Sequence, residues 1–378
     1  MARLRCAEDN YAQPLLAIAA HGLPGSTRTY PTKPLDDESW RTIRRAAQDH
    51  RVTGLLVAAV KDGAFPATAA QFGDVRGGHM RTMLRVMSLE QELLELVGLL
   101  DRHGINHRVL KGTAVAHLDY PDPALRSFID LDVLVRADDF ERTVRVLTDA
   151  GFVRTLMEPA PGFDRRFDKG TTLIGSAGYE LDLHRTFVLG PWGLVIELED
   201  LWRDGGQEFI VAGRPVRALS RDTRFMHACY HAALGDWPLR LSSLRDVVEM
   251  LLRIGDDAGP IRQLAARWHA EAVVAAAIAD ANRLLGIAPR TELERWAAGY
   301  PFSRREEARL ALHTHPDKTF AAQALSTLVA LPRLRDKADY LRALLLPEPQ
   351  YVADRHPSAL ARFRYGIREV RRGRARRR

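Results

Sequence analysis

The seven residues Ile129-Asp130-Leu131-Asp132-Val133-Leu134-Val135 constrain this chain more than any other stretch. Apolar and acidic residues alternate and then give way to an unbroken apolar run, the pattern of a strand entering a sheet interior. Side chains at i and i+2 share a face, so Asp130 and Asp132 are expected to project together. Two adjacent carboxylates repel, and burying them without compensation is costly. Whatever fold holds this strand must therefore bring positive charge to it.

The flanking sequence supplies candidates. A short strand over 107–110 runs into Lys111-Gly112-Thr113 and a helix over 113–119. Glycine at a strand-to-helix junction lets the backbone approach a ligand, and free N–H groups at a helix start can hold phosphate oxygens. Lys111 and Arg126 are cations able to offset phosphate charge, the arginine bidentately. Downstream, Glu180-Leu181-Asp182-Leu183-His184 alternates as a second strand, placing Asp182 as a third acid with His184 on its side, as a partner of the carboxylates, a substrate contact or a cap on the sheet. Oxygen ligands of this kind suit Mg²⁺, which uses one or two carboxylates together with water and substrate phosphates. Asp182 is read either as a further metal ligand or as the group that takes a proton from an attacking hydroxyl.

Around this segment the pattern divides the chain. Residues 1–103 read as a helical region, with helices expected over 36–49 and 79–102. Residues 104–220 mix strands (107–110, 129–135, 152–157, 179–184 and a hairpin at 208–218) with helices. Residues 221–361 read as helical, and 362–378 as an arginine-rich tail. The fold class expected is α+β, a mixed sheet with helices flanked by helical regions.

Charge must be located before it is interpreted. The chain carries +7 with an isoelectric point near 9.6. Residues 362–378 hold nine arginines and one acid, so the remaining chain is near neutral. Such a tail grips RNA, an acidic partner or anionic lipid, or is simply a solvated terminus. With 46% hydrophobic and 27% charged residues the chain is of globular type. No apolar run approaches the roughly 18–20 residues that span a bilayer. Cys6 and Cys229 alone give no disulfide framework. A cytoplasmic protein is expected; oligomeric state is not legible.

Leu-Lys-Gly at 110–112, Tyr-Pro-Asp-Pro-x-x-Arg at 120–126, Asp-Leu-Asp-Val-Leu-Val at 130–135, Gly-Phe at 151–152, Leu-Asp-Leu-His at 181–184 and Leu-Arg-Asp at 244–246 together resemble the uncharacterised nucleotidyltransferase family of bacteria, within the polymerase-beta-like nucleotidyltransferase superfamily. The resemblance spans about residues 35–255. It implies metal binding at Asp130, Asp132 and Asp182, and nucleotide contacts at Lys111, Gly112, Thr113 and Arg126. The superfamily places Gly-Ser at the helix start with a shorter gap to the acids, whereas this chain has Gly-Thr and a longer one.

The expected activity is Mg²⁺-dependent transfer of a nucleoside monophosphate, AMP from ATP, with release of pyrophosphate. The family suggests as acceptor a hydroxyl or phosphate of a small molecule or modified peptide in specialised metabolism. The alternatives are a toxin-like enzyme directed at tRNA through the arginine tail, a phosphotransferase, or a non-catalytic nucleotide-binding module on the same fold.

Three further features have competing readings. Asp36-Asp37-Glu38 after Gly25-Ser26 imitates the motif but reads as a helix start. His227 and His231, at i and i+4 around Cys229, lack a third ligand for zinc and read as structural. Arg245 and Asp246 sit on an otherwise apolar helix, either in a structural ion pair or lining the acceptor pocket.

Overall fold

The computed structural model describes residues 9–235, 237–314 and 320–355; the arginine-rich tail and Cys6 lie outside them. Seven strands, β1 (His107–Val109), β2 (Leu131–Val135), β3 (Val153–Arg154), β4 (Gly170–Ile174), β5 (Glu180–His184), β6 (Gln207–Val211) and β7 (Arg214–Ala218), form one mixed sheet. Their spatial order is β3-β4-β5-β2-β1-β7-β6. The α+β expectation is met, and helices flank the sheet.

Strand register brings the acids together. Strands β2 and β5 are parallel with Asp132 opposite Asp182 and Leu134 opposite His184. Strand β4 lies antiparallel on β5 with Thr172 opposite Asp182. One polar row, Asp132–Asp182–Thr172, therefore crosses three neighbouring strands on one face of the sheet. Strand β4, which the sequence did not announce, comes very close to β5. A Cβ added at Gly170 would lie 1.9 Å from the Leu183 carbonyl oxygen, so only glycine fits there.

The two faces serve different cores. Leu131, Val133, Val135, Leu181 and Leu183 join a cluster with Leu89, Leu93, Leu96 and Leu100 of the long helix Ala69–Arg102. Leu134 faces the opposite way, into a larger cluster. That cluster joins the first helices (Leu15, Leu16, Ile18, Leu55, Leu56) to the later ones (Phe225, Leu244, Val273, Ile278) in one continuous core. Asp132 and Asp182 share the Leu134 face, where the sheet meets this helical body.

Helix starts follow their caps. Asp36 accepts hydrogen bonds from the Glu38 and Ser39 amides and begins Asp37–Asp49, so the acidic cluster is a helix start as read. The long helix begins ten residues earlier than its apolar periodicity suggests, because Thr68 and Gln71 form a reciprocal capping box. At 34 residues it is about 51 Å long. Val75 reaches the helical core and Val86 onward the sheet core, so this one rod spans both.

Buried ion pairs tie the loop before β2 to the helical body. The Arg126 guanidinium grips Asp246 of helix Leu241–Ile254 with two hydrogen bonds, at 3.1 and 2.8 Å. The Tyr120 hydroxyl donates to the same carboxylate at 2.8 Å. Arg224 and Asp119 form a second bidentate pair. Arg245 is spent on Glu249 and on the Ala19 and His21 carbonyls. Removing one member of such a pair strands the other charge in a low-dielectric interior. We expect Asp246→Ala to lower the unfolding free energy by about 3–5 kcal/mol in urea titration, the range for a broken buried pair. A loss below about 1 kcal/mol would show that the pair does not anchor the loop.

Candidate active site

The site grows out of the junction between β1 and helix Lys111–Leu118. Gly112 has φ +33° and ψ −106°, a non-helical geometry at the second residue of the helix. Its missing Cβ faces the Phe128 ring, which an added carbon would meet at 3.4 Å. This kink sets the Lys111 side chain over the sheet, where its ammonium lies 2.9 Å from Asp132 Oδ1.

Asp132 is the centre. Its side chain is 1% exposed, and Oδ1 also meets His184 Nε2 at 2.9 Å. Burial raises the pKa of such a carboxyl, but the Lys111 charge and the His184 bond outweigh it and hold Asp132 well below the usual carboxylate range. Lys111 moves the opposite way. Burial alone would lower it, yet Asp132, Asp130 and Asp182 together keep it charged and raised.

Asp182 stands beside this pair. Lys169 Nζ approaches its Oδ2 at 3.1 Å, and the Thr172 hydroxyl donates to Oδ1 at 2.6 Å. Burial raises its pKa, but Lys169 and then His184 bring it below the ordinary value. Asp132, Asp182 and His184 each turn one ligand atom into a space less than 4.8 Å across. Asp132 Oδ2 is buried and accepts no hydrogen bond among the described residues. A buried carboxylate oxygen left unpaired is costly unless a cation completes it, so the residues present fit a divalent ion.

The structure sorts the sequence candidates. Lys111, Asp132, Asp182 and His184 converge. Thr113 is buried at the start of the helix, next to Gly112. Asp130 lies one residue ahead of β2, faces Arg51 at 3.7 Å and stands outside the three-residue cluster. The alternation that pairs Asp130 with Asp132 requires both on the strand, and the strand begins at Leu131. Arg126 is a correction: each nitrogen of its guanidinium is bonded to Asp246 or to the Ser127 carbonyl, and its side chain is 3% exposed, so burial in this pair keeps it away from phosphate. Arg245 and Asp246 take the structural alternative, each with a different partner. Sequence reasoning missed Lys169 and Thr172; the only hint was a Lys-Gly-Thr-Thr run at 169–172.

Residues 36–286, more than half of the chain, match the family described as uncharacterised nucleotidyltransferase. The chain belongs to this family.

As a nucleotidyltransferase it is an enzyme of the transferase class. Comparison with curated proteins finds no match. Among solved structures, the nucleotidyltransferase is similar to ANT(2")-Ia in complex with adenylyl-2"-tobramycin, at 16% identity over 48% of this chain and 97% of that one, with a TM-score of 0.35. It is similar also to the solution structure of the antibiotic-resistance factor ANT(2'')-Ia, at 14% identity over 48% and 91%, TM-score 0.35. A third is an antigenic nucleotidyltransferase-like protein from Paracoccidioides brasiliensis, at 13% identity over 48% and 84%, TM-score 0.28. No helix among the described residues is long and apolar enough to cross a membrane.

Behind the nucleotidyltransferase site lie His227 and His231 on helix Arg221–Leu234. His227 packs on Phe187 with ring centroids 4.6 Å apart. Burial, followed by the charges of His184 and Lys111, pushes its pKa down to about 3. Burial does the same to His231, which is held well below 6.5. Both are neutral packing residues, not a zinc pair. In the unfolded chain each takes a proton near 6.5, so below that pH the unfolded state binds more protons than the native one. We expect the stability these histidines confer to be complete above pH 6.5. It then falls by about 1.4 kcal/mol per pH unit per histidine as pH drops through the window toward about 3. Urea titrations at about pH 7.5 and about pH 5, on either side of the unfolded-state value, test this; His227→Gln removes its share of the slope.

Proposed function

We propose that this nucleotidyltransferase moves a nucleoside monophosphate, AMP from ATP, onto a hydroxyl or phosphate of a small molecule or modified peptide. The observation that carries the reading is the in-register pair Asp132–Asp182, with Asp132 Oδ2 buried and unpartnered among the described residues, beside Lys111. A non-catalytic module has no use for an uncompensated buried carboxylate oxygen, whose desolvation costs about 1–3 kcal/mol or more.

In this reading Asp132 and Asp182 hold Mg²⁺, and Asp130 joins them once its 3.7 Å contact with Arg51 opens. The bound ion supplies Lewis-acid neutralisation of the triphosphate. Lys111 turns from Asp132 toward the phosphates, and the amides of Gly112 and Thr113 at the helix start cradle their oxygens. His184, bonded to Asp132 through Nε2, fixes the carboxylate's orientation. Asp182 accepts the proton of the attacking hydroxyl. The acceptor oxygen bonds to the α-phosphorus as the bond to the β-phosphate bridge breaks, and pyrophosphate leaves. Lys169 and Thr172 hold Asp182 in place for this task.

The experiment is transfer from [α-³²P]ATP and, separately, [γ-³²P]ATP with Mg²⁺ and a cell lysate as acceptor source. We expect label from the α position only. Asp182→Asn should slow transfer by about 10²–10⁴, the range for loss of a general base. Asp132→Asn should abolish detectable transfer. Label arriving from the γ position would make the enzyme a phosphotransferase. Equal transfer by wild type and Asp132→Asn would remove Asp132 from the metal site.

A further inference from the structure

A cleft of about 210 Å³ opens at Asp182 and His184 and leads away from Lys111 and Gly112, which do not line it. If the Lys111 side takes the triphosphate, the Asp182 side takes the acceptor. The role of the cleft therefore rests on the transferase reading.

The walls of this cleft are unlike those of a sugar- or polyamine-binding site. Phe163 and Phe167 from the segment before β4 stand against Tyr340 of helix Leu334–Leu345, with ring centroids 5.6 and 5.3 Å from it. Leu344 extends the apolar wall inward, and Leu156 and Met157, each about 40% exposed, form the mouth. The charged groups along the lining are already engaged. Lys169 is paired with Asp182, Asp164 with Arg154, and Asp168 accepts from the Lys169 amide at 2.7 Å. The Thr155 and Thr327 hydroxyls and the Gln323 amide, also on the lining, already donate to backbone carbonyls, so a polycation or a polyol would lose more water contacts here than it regains. A flat apolar body, by contrast, gains both burial and ring contacts. The volume lies below the about 300–1,000 Å³ of drug-sized sites, which admits one or two rings and excludes an RNA strand.

We propose that this cleft is the acceptor subsite and that its occupant is an uncharged, ring-bearing alcohol or phenol. Its hydroxyl lies at Asp182, and its rings lie between the Phe163–Phe167 pair and Leu344. The hydroxyl oxygen forms the new bond to the α-phosphorus, its proton passes to the Asp182 carboxylate, and pyrophosphate departs.

The test separates this subsite from the transfer chemistry. Binding of 2-naphthol, followed by its own fluorescence without nucleotide, reads the cleft alone. Release of pyrophosphate from MgATP with 2-naphthol, glucose or kanamycin as acceptor reads transfer. Two variants occlude the cleft without touching the carboxylates: Ala324→Trp, on the wall, and Met157→Arg, at the exposed mouth where folding tolerates a charge. We expect 2-naphthol to bind wild type and Asp182→Asn alike, and each occluding variant to weaken it at least tenfold while MgATP affinity stays unchanged. Pyrophosphate release should be promoted by 2-naphthol and not by glucose or kanamycin. Absence of 2-naphthol binding, or binding indifferent to both variants, overturns the subsite. So does transfer to glucose or kanamycin that persists in both variants, and in that case the transferase reading stands. Binding of 2-naphthol at the cleft without any pyrophosphate release overturns its assignment as the acceptor subsite, while the transferase reading is decided separately by the labelled-ATP transfer.

Discussion

A carboxylate with 1% of its side chain exposed has to be answered by charge, and the answer to Asp132 organises the centre of this protein. Lys111 and His184 both reach the same oxygen of Asp132, one from a kinked helix start and the other from the neighbouring strand. For the lysine to reach, the backbone must turn at residue 112 with a positive φ, which only glycine adopts without strain. For the histidine to reach, β5 must lie parallel to β2 in the register that sets Asp182 opposite Asp132. The motif residues are thus coupled by one electrostatic requirement, and the remaining oxygen is left open for a ligand.

A second set of buried charges is paired within the scaffold. Tyr120 and Arg126, spaced six apart in the loop, converge on Asp246, while Asp119 closes on Arg224. These bonds hold the loop that delivers the chain into β2, so the Tyr-Pro-Asp-Pro-x-x-Arg motif acts as an anchor upstream of the strand. Asp122 contributes by accepting from the Ala124 amide and turning the chain.

Much of this was legible in the sequence, and where it was not the reason is physical. Strand alternation has a period of two, so Asp182 and His184 could be assigned to one side of their strand, but that this side is also Asp132's follows only from the register of β2 and β5. Asp130 fits the same alternation, but a pattern cannot show that hydrogen bonding begins one residue later, at Leu131. Arg126 looked available because its partner lies 120 residues away on a helix whose own pattern is apolar. Strand β4 was silent because Gly170-Thr171-Thr172 is neither clearly alternating nor strongly apolar, and with it Lys169 and Thr172 went unread. The capping signal at Thr68 and Gln71 was present in the sequence, although periodicity alone places the helix start later.

The two hydrophobic clusters also say something about how the chain is assembled. The helical body draws mainly on residues 11–75 and 187–310, with Leu110, Val115, Tyr120 and Leu134 reaching it from between, whereas the sheet cluster draws on 86–218. Ser26 bridges to Ile287, Arg28 donates to the Leu284 and Arg283 carbonyls, and the Tyr11 hydroxyl to that of Leu239. In architectural terms the sheet is an insert carried within a discontinuous helical unit, entered along one 34-residue rod. Segments distant in sequence must meet before the scaffold closes, which gives the helical body a high contact order despite its local secondary structure. Cutting the chain on either side of the sheet would therefore divide the helical frame, whose core needs the segments before and after it.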